Sequence, residues 1–310
     1  MIIVTGCAGF IGSHLCEHLL EKKETILGID NLNDYYDLSQ KHSNLKILEK
    51  YKNFSFINED IKTTKCIEKY KPSIVINLAS MAGVRPSIDN PVKYADNNIL
   101  GQINLLEQAK NVVDKFIYAS SSSIYGSNKK VPFSEDDLVQ NQISPYATSK
   151  LCLENYAKLY KNLFNLNVVG LRFFTVYGPR GRPDMAPLKF LNKIEKGEII
   201  EKYGNNTSRD YTYITDIING IVSVIYSNNN LNELYNLGNS YPITLDDFIK
   251  TCEKVVGKKA SIKLLDNQIG DVKITYADIS LAQKDLKYSP EVNLEEGLKN
   301  TYMWMKNKQN

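Results

Sequence analysis

The chain has 310 residues, 43% of them hydrophobic and 24% charged, with a formal net charge of +3 at pH 7. Such a length and balance suit one large or two smaller globular domains with an ample core, and give no electrostatic case for nucleic acid or an anionic membrane as a partner. The five cysteines (Cys7, Cys16, Cys66, Cys152 and Cys252) are scattered without a CxxC pair, which argues against a disulfide framework or a zinc knuckle.

The opening run Met1-Ile2-Ile3-Val4 is too short for a signal peptide, and no apolar stretch approaches the ~20 residues that span a bilayer. A cytoplasmic location is the expectation. Ile2–Thr5 reads as a strand and Phe10–Glu21 as a helix. Further strands are predicted at Thr25–Ile29, Phe54–Ile57, Ile74–Leu78, Lys115–Ala119 and Val168–Phe173, with helices over Ile99–Asn111 and Tyr146–Phe164. Solidly apolar strands separated by helices predict a parallel sheet covered on both faces, a doubly wound α/β Rossmann arrangement. After Phe173 the pattern loosens, and Pro179, Pro183 and Pro187 break up a stretch that is neither helix nor strand for long. The expected division is a Rossmann domain over 1–174 plus about 212–238, and a smaller α/β substrate-binding domain over about 175–211 and 239–310. The chain is expected to cross back around Asp216–Tyr226.

The turn after the first strand, Gly6-Cys7-Ala8-Gly9-Phe10-Ile11-Gly12, spaces its glycines as Gly-x-x-Gly-x-x-Gly. Glycines there allow a tight turn and let backbone approach a pyrophosphate seated on the helix N-terminus. Asp30 lies 18 residues past Gly12, where a carboxylate accepts hydrogen bonds from the adenosine ribose and repels a 2′-phosphate. No Arg or Lys follows directly in Asn31-Leu32-Asn33, so NAD is expected rather than NADP. Asp60 and Ile61 are candidates for the adenine, and Leu78-Ala79-Ser80 supplies small residues where backbone would line a dinucleotide. Asn97 opens the predicted helix, either as a cofactor contact or as its N-cap.

Tyr146-Ala147-Thr148-Ser149-Lys150 sets a tyrosine and a lysine four apart on one helical face. A free phenol titrates near ~10; a neighbouring ammonium and a nicotinamide cation would draw Tyr146 down toward a working general base. Ser120-Ser121-Ser122-Ser123 follows the fifth strand, where a hydroxyl can bond the sugar hydroxyl being oxidised. His14 and His18 have metal-ligand spacing but no third ligand near, so no metal is expected.

With these motifs the chain resembles the extended short-chain dehydrogenase/reductases of the nucleotide-sugar epimerase and dehydratase group, from the glycine turn to Gly270-Asp271. The resemblance implies NAD as cofactor, Tyr146 and Lys150 as catalytic residues, and Ser121, four before Tyr125-Gly126, as their assistant with Ser122 beside it. Dehydratases of the group carry Thr-Asp-Glu in the serine segment and decarboxylases a glutamate; Ser121-Ser122-Ser123 has no acid, which favours epimerisation. Asp30 to Asp37, Ala82-Gly83-Val84-Arg85 and Arg172 to Met185 resemble UDP-glucuronate 4-epimerases, with Thr175 where UDP-galactose epimerases usually have Asn. The implied UDP-sugar contacts are Arg85, Ser121, Ser122, Tyr146, Thr175, Arg182, Arg209, Gln268 and Asp271. Alternatives are a UDP-glucose or UDP-N-acetylglucosamine 4-epimerase, or a non-catalytic NAD sensor, which would normally lose Tyr146 or Lys150. Relatives also suggest a homodimer through the two predicted helices.

Overall fold

The computed structural model describes residues 1–309 except 205, 206, 267 and 269. The central sheet contains β1 (Ile2–Thr5), β2 (Ile26–Asp30), β3 (Phe54–Asn58), β4 (Ile74–Asn77), β5 (Lys115–Ser121), β6 (Val168–Phe173) and the edge strand Leu234–Leu237. Their order is edge strand, β6, β5, β4, β1, β2, β3, and each neighbouring pair is parallel. Every residue of β1, β2, β5 and β6 is buried, as a sheet covered on both faces requires. The strand order reverses between β1 and β4, which opens a crevice at the carboxyl ends of the strands. This is the doubly wound α/β Rossmann fold that the apolar runs predict.

Two helices depart from expectation. The segment predicted to start at Ile99 is already helical from Pro91, passes through a π-helical turn at Ala95–Leu100, and continues as α-helix over Gly101–Ala109. Asn97 therefore sits inside a helix and caps nothing; its side chain donates to the Lys93 carbonyl one turn back. The proline-rich stretch also contains regular structure. Thr175–Tyr177 is a strand, and a helix runs over Ala186–Lys196 with Pro187 in its first turn, where a missing N–H costs nothing.

Thr175–Tyr177, Ser208–Tyr213 and Pro242–Thr244 form a small three-stranded sheet, and Ile199–Tyr203 pairs with Ser261–Leu265. Helix Ile214–Tyr226 packs back on the first helix, α1 (Phe10–Glu21), and leads to the edge strand of the large sheet.

Behind the carboxyl ends of β5 and β6 lies a buried ion pair. Arg172 of β6 donates through Nε and Nη2 to the two carboxylate oxygens of Glu154, at 2.9 and 2.8 Å. Glu154 stands on the long helix Pro145–Phe164 and also accepts from the Ser120 hydroxyl of β5 at 2.5 Å. Removing one partner leaves an uncompensated buried charge. Arg172→Met should therefore lower stability by roughly 3–5 kcal/mol in denaturant unfolding. A loss under ~1 kcal/mol would mean that Glu154 finds other compensation.

Candidate active site

Two adjoining cavities, of about 280 and 450 Å³, open along the crevice and share Ser121, Tyr146 and Arg182 in their walls. The first lies over the glycine turn. It is lined by Gly6, Gly9, Phe10, Ile11, Gly12, Asp30, Asn31, Asp60, Ile61, Leu78, Ala79, Ser80 and Asn97, with Tyr146 and Lys150 at its inner end. Gly6 has φ +71°, and a Cβ there would stand 2.8 Å from the Ala79 nitrogen. A Cβ on Gly12 would be 2.1 Å from the Gly6 carbonyl oxygen, so only glycine allows α1 to approach the turn. The α1 N-terminus has no side-chain cap and no acid in its first turn, which leaves its N–H groups available to an anionic group. These features fit a dinucleotide pyrophosphate.

Asp30 is buried and structurally engaged: it accepts from the Ala8 N–H at 3.2 Å and the Leu32 N–H at 2.9 Å. Beside Asn97 stands a residue that the sequence did not single out. Asn98 is buried, accepts from the Met81 N–H and the Ser80 hydroxyl, and donates to Ser149 at 2.9 Å. It ties the loop after β4 to the helix bearing Tyr146 and Lys150. A polar residue at a buried phase of the helix would have been the signal, but the π-turn obscures that phase.

Tyr146 is the second residue of the long helix, and its N–H donates to the Ser87 hydroxyl at 3.1 Å. The Lys150 Nζ lies 5.8 Å from the Tyr146 ring centroid and donates to the Ala119 carbonyl at 2.8 Å. The expected downward pull on Tyr146 is not what the protein alone provides. Burial pushes the Tyr146 phenol up, opposed by the Ser121 hydroxyl and the Arg182 guanidinium. Burial also presses Lys150 down to about 7 against the Glu154 carboxylate, so its charge is only weakly held. The serines divide by strand alternation: the Ser120 hydroxyl serves Glu154, while Ser121 bonds Ser123 and lines both cavities.

The second cavity gathers Ser121, Ser122, Thr175, Arg85, Arg182, Arg209 and Asp271. Arg85 and Asp271 bond each other at 2.8 Å, and Arg85 also stacks 4.8 Å from the Tyr203 ring. Arg182 donates to Tyr35 at 3.2 Å and to Asp184 at 2.6 Å. Gln268 lines neither cavity; its carbonyl accepts from the Asp271 N–H. The loop carrying Arg182 is anchored on α1. His14 Nε2–H donates to the Pro179 carbonyl at 2.9 Å, and Arg180 pairs with Glu17 at 2.5 Å. Burial drives His14 down to about 4, so it serves as a neutral donor. Among the described residues no cluster of three or more His, Cys, Asp or Glu is placed to hold a metal.

Fold and site together define an extended short-chain dehydrogenase/reductase. More closely, the chain belongs to the family described as GDP-mannose 4,6 dehydratase, whose model matches residues 3–301. A UDP-glucuronate 4-epimerase of Thermodesulfobacterium geofontis is 43% identical, over 98% of this chain and 95% of that protein. The UDP-glucuronic acid 4-epimerase of Bacillus cereus, solved with UDP-glucuronic acid and NAD, superposes with TM-score 0.95 at 39% identity, over 99% of both chains. The UDP-glucose 4-epimerase of Thermotoga maritima, solved with UDP-glucose, gives TM-score 0.91 at 30% identity, over 100% and 99%.

The buried lysine sets a pH test. The Lys150 pKa is lower folded than unfolded, so between about 7 and the ordinary lysine range the unfolded chain binds the extra proton. Stability contributed by the neutral form is fully present above the ordinary lysine range and is lost as pH falls from there to about 7, below which both states carry the proton. In nucleotide-free protein, Lys150→Met should exceed the wild type in stability by roughly 2–4 kcal/mol at pH 6, with the gap narrowing toward pH 9. Denaturant unfolding across that range reads it, and a gap independent of pH would rule out the buried, depressed lysine.

Proposed function

We propose that this protein is an NAD-dependent UDP-sugar 4-epimerase that interconverts UDP-glucuronate and UDP-galacturonate through a 4-keto intermediate. The observation that carries the reading is the convergence of Tyr146, Ser121, Ser122 and Thr175 on one cavity that also holds Arg85, Arg182 and Arg209. The relatives solved with UDP-glucuronic acid and NAD support the same substrate and cofactor.

Bound NAD would accept the C4 hydride and return it to the other face, its nicotinamide cation favouring the Tyr146 phenolate. Tyr146 takes the 4-hydroxyl proton and later gives it back, and Ser121 orients that hydroxyl. Lys150 holds the inner end of the cofactor cavity through its bond to Ala119. The hydroxyls of Ser121, Ser122 and Thr175 face the C6 carboxylate and hold it against loss as carbon dioxide. Arg209 and Arg182 meet the diphosphate, with Arg85 and Asp271 at the rim. Ser121-Ser122-Ser123 offers no acid to expel water, so the site suits epimerisation within a family named for a dehydratase.

The domain division follows the same roles: Rossmann segments 1–174 and about 212–238 hold NAD, and segments of about 175–211 and 239–310 close over the UDP-sugar. Leu159, Leu163 and Phe164 are exposed on the long helix and favour a homodimer through that face. No helix among the described residues is long and apolar enough to cross a membrane.

Tyr146→Phe should leave the fold intact and lower turnover by at least ~10²-fold; near-normal activity would remove Tyr146 from the chemistry. Without added NAD, the purified protein should turn over UDP-glucuronate with a kcat/KM at least ~10²-fold above that for UDP-glucose, because charge-assisted bonds to the carboxylate are absent with the neutral sugar. Equal values, or preference for UDP-glucose or UDP-N-acetylglucosamine, would overturn the glucuronate assignment. Carbon dioxide and a UDP-pentose as main products would overturn epimerisation itself.

A further inference from the structure

The cofactor cavity contains a cation that is not adjacent to Asp30 in the sequence. Lys41 lies on α2 (Leu38–Leu48), whose start is fixed by Asp37 accepting from the Ser39 N–H. That helix turns Lys41 inward until it is only 4% exposed. Its Nζ stands 3.4 Å from Asp30 Oδ1 and 3.2 Å from Asn33 Oδ1, and 5.5 Å from the Tyr36 ring centroid. Asp30, 6% exposed, and Lys41 both line the cavity.

A buried ammonium is tolerated where a carboxylate compensates it. Here the compensation comes from Asp30, the group that would also accept from the ribose hydroxyls. The remaining oxygen contact of Lys41, from Asn33, carries no charge. Removing the Asp30 carboxylate thus does two things at once. It abolishes the repulsion of a 2′-phosphate, and it leaves a buried, unpaired cation within the same cavity.

Resting on the NAD reading above, we propose that Lys41 is a specificity-determining residue of the cofactor site: it neutralises Asp30 in the wild type and is a ready-made 2′-phosphate contact once Asp30 is neutral. Preference for NAD is then set by a single charge, and NADP binding is latent in the unchanged remainder of the site. A conventional site would need an added arginine or lysine as well as loss of the acid.

Calorimetric titration of the nucleotide-free full chain with NAD and with NADP tests this. The wild type should favour NAD by at least ~10-fold. Asp30→Ser should raise NADP affinity by at least ~10-fold over the wild type while weakening NAD. The double variant Asp30→Ser, Lys41→Met should lose that gain. Asp30→Asn preserves the side-chain shape and an acceptor oxygen for the Leu32 N–H, so it carries the same comparison, with and without Lys41→Met, if the serine variant does not fold. No gain in NADP affinity in a folded Asp30 variant would overturn the proposal, as would a gain that survives Lys41→Met. A wild type that binds neither nucleotide would instead overturn the NAD reading, and this proposal with it. Both nucleotides are titrated into each variant, so the NADP-to-NAD affinity ratio must move with the NADP gain, and a general loss of stability, which weakens both alike, does not mimic it.

Discussion

The rest of the site depends on the Glu154–Arg172 pair. Such a pair adds little net stability compared with an apolar alternative, but its geometry is demanding and it cannot be half made. Arg172 reaches Glu154 with two nitrogens and, through Nη1, the Tyr125 hydroxyl, which in turn donates to Asn236 on the edge strand. Ser120 adds β5 to the network. Three neighbouring strands and the long helix are thereby fixed in one rotational setting. Lys150 is one turn from Glu154 on that helix, and its bond to Ala119 sits one residue from Ser120 on β5. The position of Tyr146, a further turn away, follows from the same setting.

A second constraint joins cofactor and substrate regions. The loop that carries Arg182 is tied to α1 through His14 and Arg180, and Arg182 itself reaches Tyr35. Tyr35 donates to the Ala82 carbonyl, as does Tyr94, whose ring meets Tyr146 edge-on at 6.2 Å. The helix whose uncapped N-terminus lines the first cavity thus also anchors the loop bearing the guanidinium shared by both cavities. The energetic consequence is preorganisation: polar groups held by packed neighbours need little reorganisation when charge develops. The same packing opposes ionisation of Tyr146, because burial disfavours the charged phenolate.

The chain by itself determined what depends on short spacing. Strand runs, the Gly6-Gly9-Gly12 turn, Asp30 at the end of β2 and the Tyr146–Lys150 spacing are each local, because periodicity and turn chemistry act over a few residues. Tertiary structure alone decided the rest. One residue along a helix is a rotation of about 100°, so the turning of Asn98 toward Met81 and Ser149 depends on a π-helical turn that no spacing announces. Lys41 meets Asp30 from 11 positions away, and Arg85 meets Asp271 across 186, because packing rather than sequence distance sets charge neighbours. The Tyr146 environment inverted expectation for the same reason: the Tyr146–Lys150 spacing is visible in the sequence, whereas the burial that raises the phenol and depresses the ammonium belongs to the folded protein.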